Sequence, residues 1–229
     1  MIDRKLLMTM YQDPGTTSPV GPGPDTLILG DMTAGYYGTV ASTEVFSASQ
    51  LRTALGVTTG TIWNDTPLWA KFAHNGLIKY IPMAPLAYSL TWQALYLAGA
   101  VYPSGPGNYP PTGQPVTQQG KQVMNGQGYK FSCALISTGT DPVPVSTIPA
   151  STSEYALINR LMNGPWGTST YQDWGVNNFS AYMWIMQSLD TTTNTKLSIS
   201  YLANNVNGYS TDPNDNRNIL HWRPILTLQ

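Results

Sequence analysis

The chain has 229 residues and a formal net charge of -1, with 41% hydrophobic but only 10% charged residues. That length suits one or two compact domains with a real hydrophobic core, while the charge is far below the roughly one quarter usual in soluble domains. Near-neutrality excludes the basic field that phosphate-backbone binding needs, so nucleic acid is not an expected partner. No stretch approaches the roughly 20 apolar residues of a membrane helix, and no membrane insertion is expected.

In chain order, residues 1–25 read as an extended arm. Pro and Gly crowd positions 14–24 and preclude a helix or a central strand there. Ahead of them Leu6, Leu7, Met8, Met10 and Tyr11 form an apolar patch, a candidate for docking onto a neighbouring subunit. The opening apolar run is short and broken, and does not make a signal peptide.

Three short helices are expected in the remainder, 26–229. Ser47-Ala48-Ser49-Gln50 forms a capping box, with Phe46 and Leu51 as a hydrophobic staple and Gly56 as the stop. Thr91 caps a second helix with Trp92, Leu95 and Tyr96 on one face and Gly99 at its end. Ser151-Thr152-Ser153-Glu154 reads as another capping box, opening a helix that aligns Tyr155, Ile158 and Met162 and closes at Gly164.

The other elements are strands. The runs 69–74 and 77–82 flank Asn75-Gly76, the dipeptide of a type I′ hairpin. The run 121–124 and the strand around Cys133 flank Asn125-Gly126-Gln127-Gly128, a second hairpin signal. Strands at 181–187 and 196–202 follow, and a last one begins near Trp222. Between Tyr102 and Gln119 lies a Pro/Gly/Gln-rich loop. Helices set among hairpins without regular alternation give an α+β, β-rich class.

Little of the usual site chemistry is in place. Cys133, the lone cysteine, sits in an apolar run and reads as a small core residue. His74 abuts a hairpin turn, where an exposed polar residue is expected, and His221 precedes Trp222; no nucleophile elbow accompanies either. Zinc would need Cys/His clustering. The oxygen-rich run Asp212-Pro213-Asn214-Asp215-Asn216 lacks the Gly and distal Glu of an EF-hand loop and reads as a turn. Trp63-Asn64-Asp65 has the letters of a calcium-lectin element without its partner motif. No catalytic residue, metal ligand or cofactor is therefore expected.

The aromatic residues are more informative. Trp184 and Trp222 have apolar, strand-like neighbours and read as core. Tyr171 and Tyr209 lie in polar stretches and are candidate contacts to a partner or ligand. Arg223, between Trp222 and Pro224, reads as a structural hydrogen-bonding group, with Asp173 or Glu154 as a conceivable partner. Pro224 is counted as structural beside it.

A collinear series of short motifs runs through the chain: Leu27–Gly38, which holds Leu29-Gly30-Asp31 and Ala34-Gly35-Tyr36-Tyr37-Gly38, then Thr53–Thr61, Leu68–Gly76, Ser89–Trp92 with Ala98–Tyr102, Trp166-Gly167, Asp173–Val176, and finally Asn218–Leu226 with Trp222-Arg223-Pro224. The series resembles a family of bacteriophage virion proteins, associated with tail, collar or fibre, that share an "LGD…AGFFG" opening, a "WLKFA" hairpin and a "GWRPVLEL" ending. The resemblance covers residues 27–229. It departs at His221, where Gly is usual, and at Thr227. The family's later half in turn resembles the C-type-lectin-like fold, in which a carboxy-terminal strand returns beside the first strands. The resemblance implies a non-enzymatic virion component made in the host cytoplasm, with other virion proteins and copies of itself as partners. A receptor- or glycan-binding adhesin of the particle is the second reading, and a small glycan hydrolase the third.

Overall fold

The Asn75-Gly76 turn organises the larger of two sheets. Asn75 has φ 50° and Gly76 φ 79°, the pair of left-handed conformations that a two-residue type I′ turn requires. The computed structural model describes residues 20–139, 141, 150–162, 164–167, 169, 172–174, 182–188, 196–200, 213–214, 216–217 and 220–229. Strands β1 (Leu29–Gly30), β2 (Ala34–Val40), β4 (Trp69–His74), β5 (Leu77–Pro82), β12 (Pro224–Leu228), β8 (Lys130–Leu135) and β7 (Gln122–Met124) lie side by side in that order. Every neighbouring pair in this sheet is antiparallel. The smaller sheet has the order β10 (Lys196–Ser200), β9 (Tyr182–Ser188), β11 (Leu220–Trp222), β6 (Ala87–Tyr88) and β3 (Thr61–Ile62). There the β9–β11 pair is parallel.

The expected α+β, β-rich class with few short helices is what the chain adopts. Helix α1 (Ala48–Leu55) has the full capping box on Ser47 and Gln50, and ends at Gly56 in the left-handed conformation. Helix α2 (Trp92–Leu97) has Thr91 as its cap, with Trp92, Leu95 and Tyr96 buried.

Helix α3 (Glu154–Met162) corrects the reading of its start. It opens two residues later than a box on Ser151 and Glu154 requires. Ser153 Oγ accepts the Ala156 N–H at 3.3 Å, so Ser153 supplies the capping oxygen. Glu154, in the first turn instead of at the third position, turns its carboxylate outward to Lys79 and to the Ser137 N–H.

Two cores sandwich the larger sheet. Between the sheets, Trp69, Tyr80, Phe131 and Leu226 meet Trp184 and Trp222 from the smaller sheet and the buried faces of α1 and α2. On the opposite face, Phe72, Ile81, Ala134 and Ile225 pack under Tyr155, Ile158 and Leu161 of α3. The indole N–H groups of Trp69 and Trp184 donate to the carbonyls of Phe46 and Leu90 at 2.9 and 2.8 Å, which removes the desolvation cost of burying them. Cys133 is fully buried in the first core, and burial pushes its thiol pKa up.

The single carboxy-terminal strand expected near Trp222 is two strands. β11 belongs to the smaller sheet and β12 to the larger one, with Arg223 at the crossing. Pro224 begins β12, and the first residue of a strand is where a missing N–H is tolerated. β12 lies between β5 and β8, in the interior of the sheet, while β1 and β2 occupy its edge. The closing strand therefore does not return beside the first strands, as the resemblance to the lectin-like fold had implied.

Residues 20–25, within the stretch read as an arm, are seated on the folded body. The Tyr80 hydroxyl donates to the Pro22 carbonyl at 3.0 Å, and Lys71 Nζ donates to the Pro24 carbonyl. Gly21 (φ 73°) leaves so little room that a Cβ there would sit 2.5 Å from the Tyr80 hydroxyl oxygen. Lys71 itself is fully buried, with its amine 5.0 Å from the Tyr37 ring centroid. Desolvation lowers its pKa to about 8, against the opposing pull of Asp25 and Glu44.

The Pro/Gly/Gln-rich loop after Tyr102 is held from within. The Gln119 amide nitrogen donates to the Tyr96 and Thr117 carbonyls at 2.8 and 3.0 Å, and its oxygen accepts from Val101 N–H at 3.1 Å. The Tyr96 hydroxyl donates to the Pro106 carbonyl at 2.9 Å.

Candidate functional site

Strand register places three features of the molecule. In the larger sheet Lys79 pairs with Thr227, and Thr227 with Ser132, so the three side chains form one row on the face that α3 only partly covers. Beyond the helix this row becomes the floor of a cleft of about 500 Å³, walled by Ser137, Gly139, Thr152 and Glu154. Glu154 bridges wall and floor: one carboxylate oxygen accepts from Lys79 Nζ and the other from Ser137 N–H at 2.9 Å. The two side chains are only 13% and 10% exposed.

His74 lies in the same cleft wall. It is buried, contrary to the expectation for a residue abutting a hairpin turn. Its Nε2 lies 2.9 Å from the Thr152 carbonyl oxygen, a partner 78 residues away that only the folded chain brings near. A carbonyl accepts, so that nitrogen carries the proton. His74 thereby ties the hairpin to the segment leading into α3.

The second feature is the crossing at Trp222-Arg223-Pro224. Trp222, Arg223 and Pro224 are all buried, Trp222 and Arg223 completely. Arg223 donates from Nη1 to the Pro82 carbonyl and from Nη2 to the Trp174 carbonyl, the latter at 2.7 Å. Its guanidinium also lies 5.4 Å from the Trp174 ring centroid. Glu154, one of the two carboxylates offered as its partner, is engaged with Lys79 instead.

The third feature is aromatic. On one face of the smaller sheet the register lines up Met183, His221, Tyr88 and Thr61. Trp63, just past β3, lies over that row. Its ring is tilted 39° to the His221 ring at 5.2 Å and meets Tyr88 edge-on at 5.6 Å. His221 is held neutral beneath it: burial first, then the nearby Arg223 charge, lower its pKa to about 4.

That shift gives stability a pH dependence. The unfolded chain binds a proton near the ordinary value of 6.5, whereas the folded chain excludes it until about 4. The stabilisation is therefore fully present above pH 6.5 and is lost as pH falls towards 4. The expected loss is about 2–3 kcal/mol. Unfolding free energies measured from pH 7 to pH 4 should fall more steeply for the parent than for His221→Gln; parallel curves would contradict the assignment.

Trp184 is completely buried in the core between the sheets. The candidate contacts Tyr171 and Tyr209 lie outside the described residues, as do Leu6, Leu7, Met8, Met10 and Tyr11 of the arm and the carboxylates Asp212 and Asp215. Pro213, between those two carboxylates, accepts the Gln93 N–H at 2.9 Å through its carbonyl. Among the described residues no three His, Cys, Asp or Glu side chains group as metal ligands do, and no helix is long and apolar enough to cross a membrane.

The sequence alone did not mark Lys79 or Lys71 as site residues, and it offered Trp63 only within a calcium-lectin-like element that lacks its partner motif. For Trp63 a signal existed. Its neighbours Thr61, Asn64, Asp65 and Thr66 are polar, the same context that singled out Tyr171 and Tyr209. The Asn64 and Asp65 side chains are taken up by turn and helix contacts, accepting from Thr66 N–H at 3.1 Å and Ser49 N–H at 2.7 Å. For Lys79 and Lys71 the signal is absent, because alternation in a strand does not reveal which face a later segment will cover.

No family model, curated protein or solved structure matches the chain.

Proposed function

We propose that this chain is a non-enzymatic structural component of a bacteriophage particle, resident in the virion and acting through assembly with other virion proteins and with copies of itself. The observation that carries the reading is where the motif series goes. Its opening, hairpin and closing motifs, the three that the family shares, become β1–β2, β4 and the β11–β12 crossing, so they serve the architecture of one body. Motifs of a reaction centre converge instead on a pocket that holds reactive side chains. The low charge and the amide- and hydroxyl-rich composition also suit a surface exposed on a particle.

The finer assignment to a C-type-lectin-like domain rests on the resemblance. Short helices set among antiparallel strands fit it; the interior position of β12 departs from the strand pairing it implies. A second reading, a host-surface adhesin of the same particle, is favoured by the exposed Trp63.

The arm supplies the test. Deleting residues 1–19 keeps the residues that seat Pro22 and Pro24 on Tyr80 and Lys71, and the thermal midpoint of the truncated protein separates a docking defect from a folding defect. The truncated protein should be missing from purified particles when it replaces the full chain during infection. Normal incorporation of the truncated chain would overturn the role of the arm.

A further inference from the structure

Of the seven tryptophans, Trp63 alone is exposed. Trp69, Trp92, Trp174, Trp184 and Trp222 are buried to within 2%, and Trp166 is partly buried beneath Arg160, whose guanidinium lies 5.4 Å from its ring centroid. Trp63 keeps 51% of its surface open to solvent. The ring is positioned by two neighbours, the His221 ring at 5.2 Å with a 39° tilt and the Tyr88 ring at 5.6 Å and 86°. The backbone is fixed as well, with the Trp63 N–H donating to the Leu86 carbonyl at 2.9 Å. About half of this positioned aromatic residue remains open to solvent.

A rigid aromatic face of this kind gains most from a flat, partly apolar ring laid parallel to it. The groups bordering it narrow the ligand further. Thr61 and Tyr88 offer hydroxyl groups, His221 beside the ring is neutral, and the Asp65 carboxylate is turned to the start of α1. A protein partner fits less well, since a stable interface buries roughly 800 Å² on each side around a cluster of anchors, and one ring bordered by hydroxyls supplies neither.

We propose that Trp63, backed by Tyr88 and His221, is a stacking platform for the pyranose ring of a neutral saccharide. The inference deepens the adhesin reading and does not depend on particle incorporation, so the two can fail separately.

The test uses the full chain, titrated with neutral oligosaccharides of glucose, galactose and N-acetylglucosamine, and in parallel with sialylated and uronic-acid oligosaccharides. At least one neutral series should bind saturably and change the tryptophan fluorescence, since Trp63 is the solvent-facing indole. Trp63→Ala should weaken that binding about tenfold or more, and Trp63→Phe by less. Thermal midpoints of both variants should stay close to the parent, because the ring lies outside both cores. Binding of no neutral oligosaccharide, binding of acidic ones only, or undiminished binding by Trp63→Ala would each overturn the proposal. Loss of binding by Trp63→Ala with incorporation into particles unchanged would uphold it and separate it from the assembly role.

Discussion

Replacing Arg223 by alanine is expected to destabilise the fold by about 3–5 kcal/mol, the largest single effect of any substitution considered. Arg223 is fully buried at the point where the chain leaves the smaller sheet for the larger one. Its guanidinium holds the carbonyl of Pro82, the last residue of β5, and the carbonyl of Trp174, the last residue of the 3-10 turn Gln172–Trp174. Both acceptors lie at element ends, where the regular ladder supplies no donor. Alanine would strand them in a low-dielectric interior and open a cavity against the Trp174 ring. Arg223→Lys keeps the charge but offers one compact ammonium where a planar fork is needed, so it should recover less than half of the loss. Arg223→Met restores volume without donors and separates packing from hydrogen bonding. Denaturant unfolding of the three variants checks this, with the unfolding slope confirming that the same surface is exposed. A domain of ordinary stability has roughly 5–15 kcal/mol in total, so Arg223→Ala should also lower expression of folded protein. A loss under about 1 kcal/mol would mean that water or neighbouring donors take over both carbonyls.

The contrast between Arg223 and the helix caps shows which parts of this fold are readable along the chain. Ser47 with Gln50, Thr91, and Asn75 with Gly76 each act on partners within a few residues, and the structure uses all of them as the local pattern predicts. The run Trp222-Arg223-Pro224 also stands out in sequence, and its residues read as structural. That it is the passage between two sheets does not, because Pro82 and Trp174 approach Arg223 from 141 and 49 residues away. Glu154 shows the same limit more sharply. Its spacing from Ser151 satisfies the capping-box pattern, yet an ion-pair partner 75 residues away claims its carboxylate. A local rule was overridden by a tertiary one. The candidate site suffered most, since burial of Lys71 and His74 and exposure of Trp63 all depend on which segment covers which sheet face.

Removing Glu154 alone should cost about 2–4 kcal/mol, while removing both Glu154 and Lys79 should cost much less. The reason is the environment of the pair. With the side chains only 13% and 10% exposed, Glu154→Ala leaves the largely enclosed Lys79 ammonium in the cleft floor with its nearest counter-charge gone, and it strips the Ser137 N–H of its acceptor. Glu154→Gln retains an acceptor for that N–H and should fall between. In Lys79→Met/Glu154→Leu no charge remains to be desolvated, the floor beside Thr227 becomes apolar, and the helix loses only a favourable negative charge in its first turn, worth about 0.3–1 kcal/mol. The parent, Lys79→Met, Glu154→Leu and Lys79→Met/Glu154→Leu form a double-mutant cycle, read by denaturant unfolding at low and high salt. Strong coupling that changes little with salt is expected, because a pair this enclosed is poorly screened. Additive losses, or coupling that disappears in salt, would place the pair in open water and remove the polarised wall from the cleft. With coupling present, any ligand that enters the cleft must either leave the Lys79–Glu154 bond intact or replace both halves of it, which disfavours singly charged ligands there. The cleft and the Trp63 face, on different sheets, would then both select for uncharged partners.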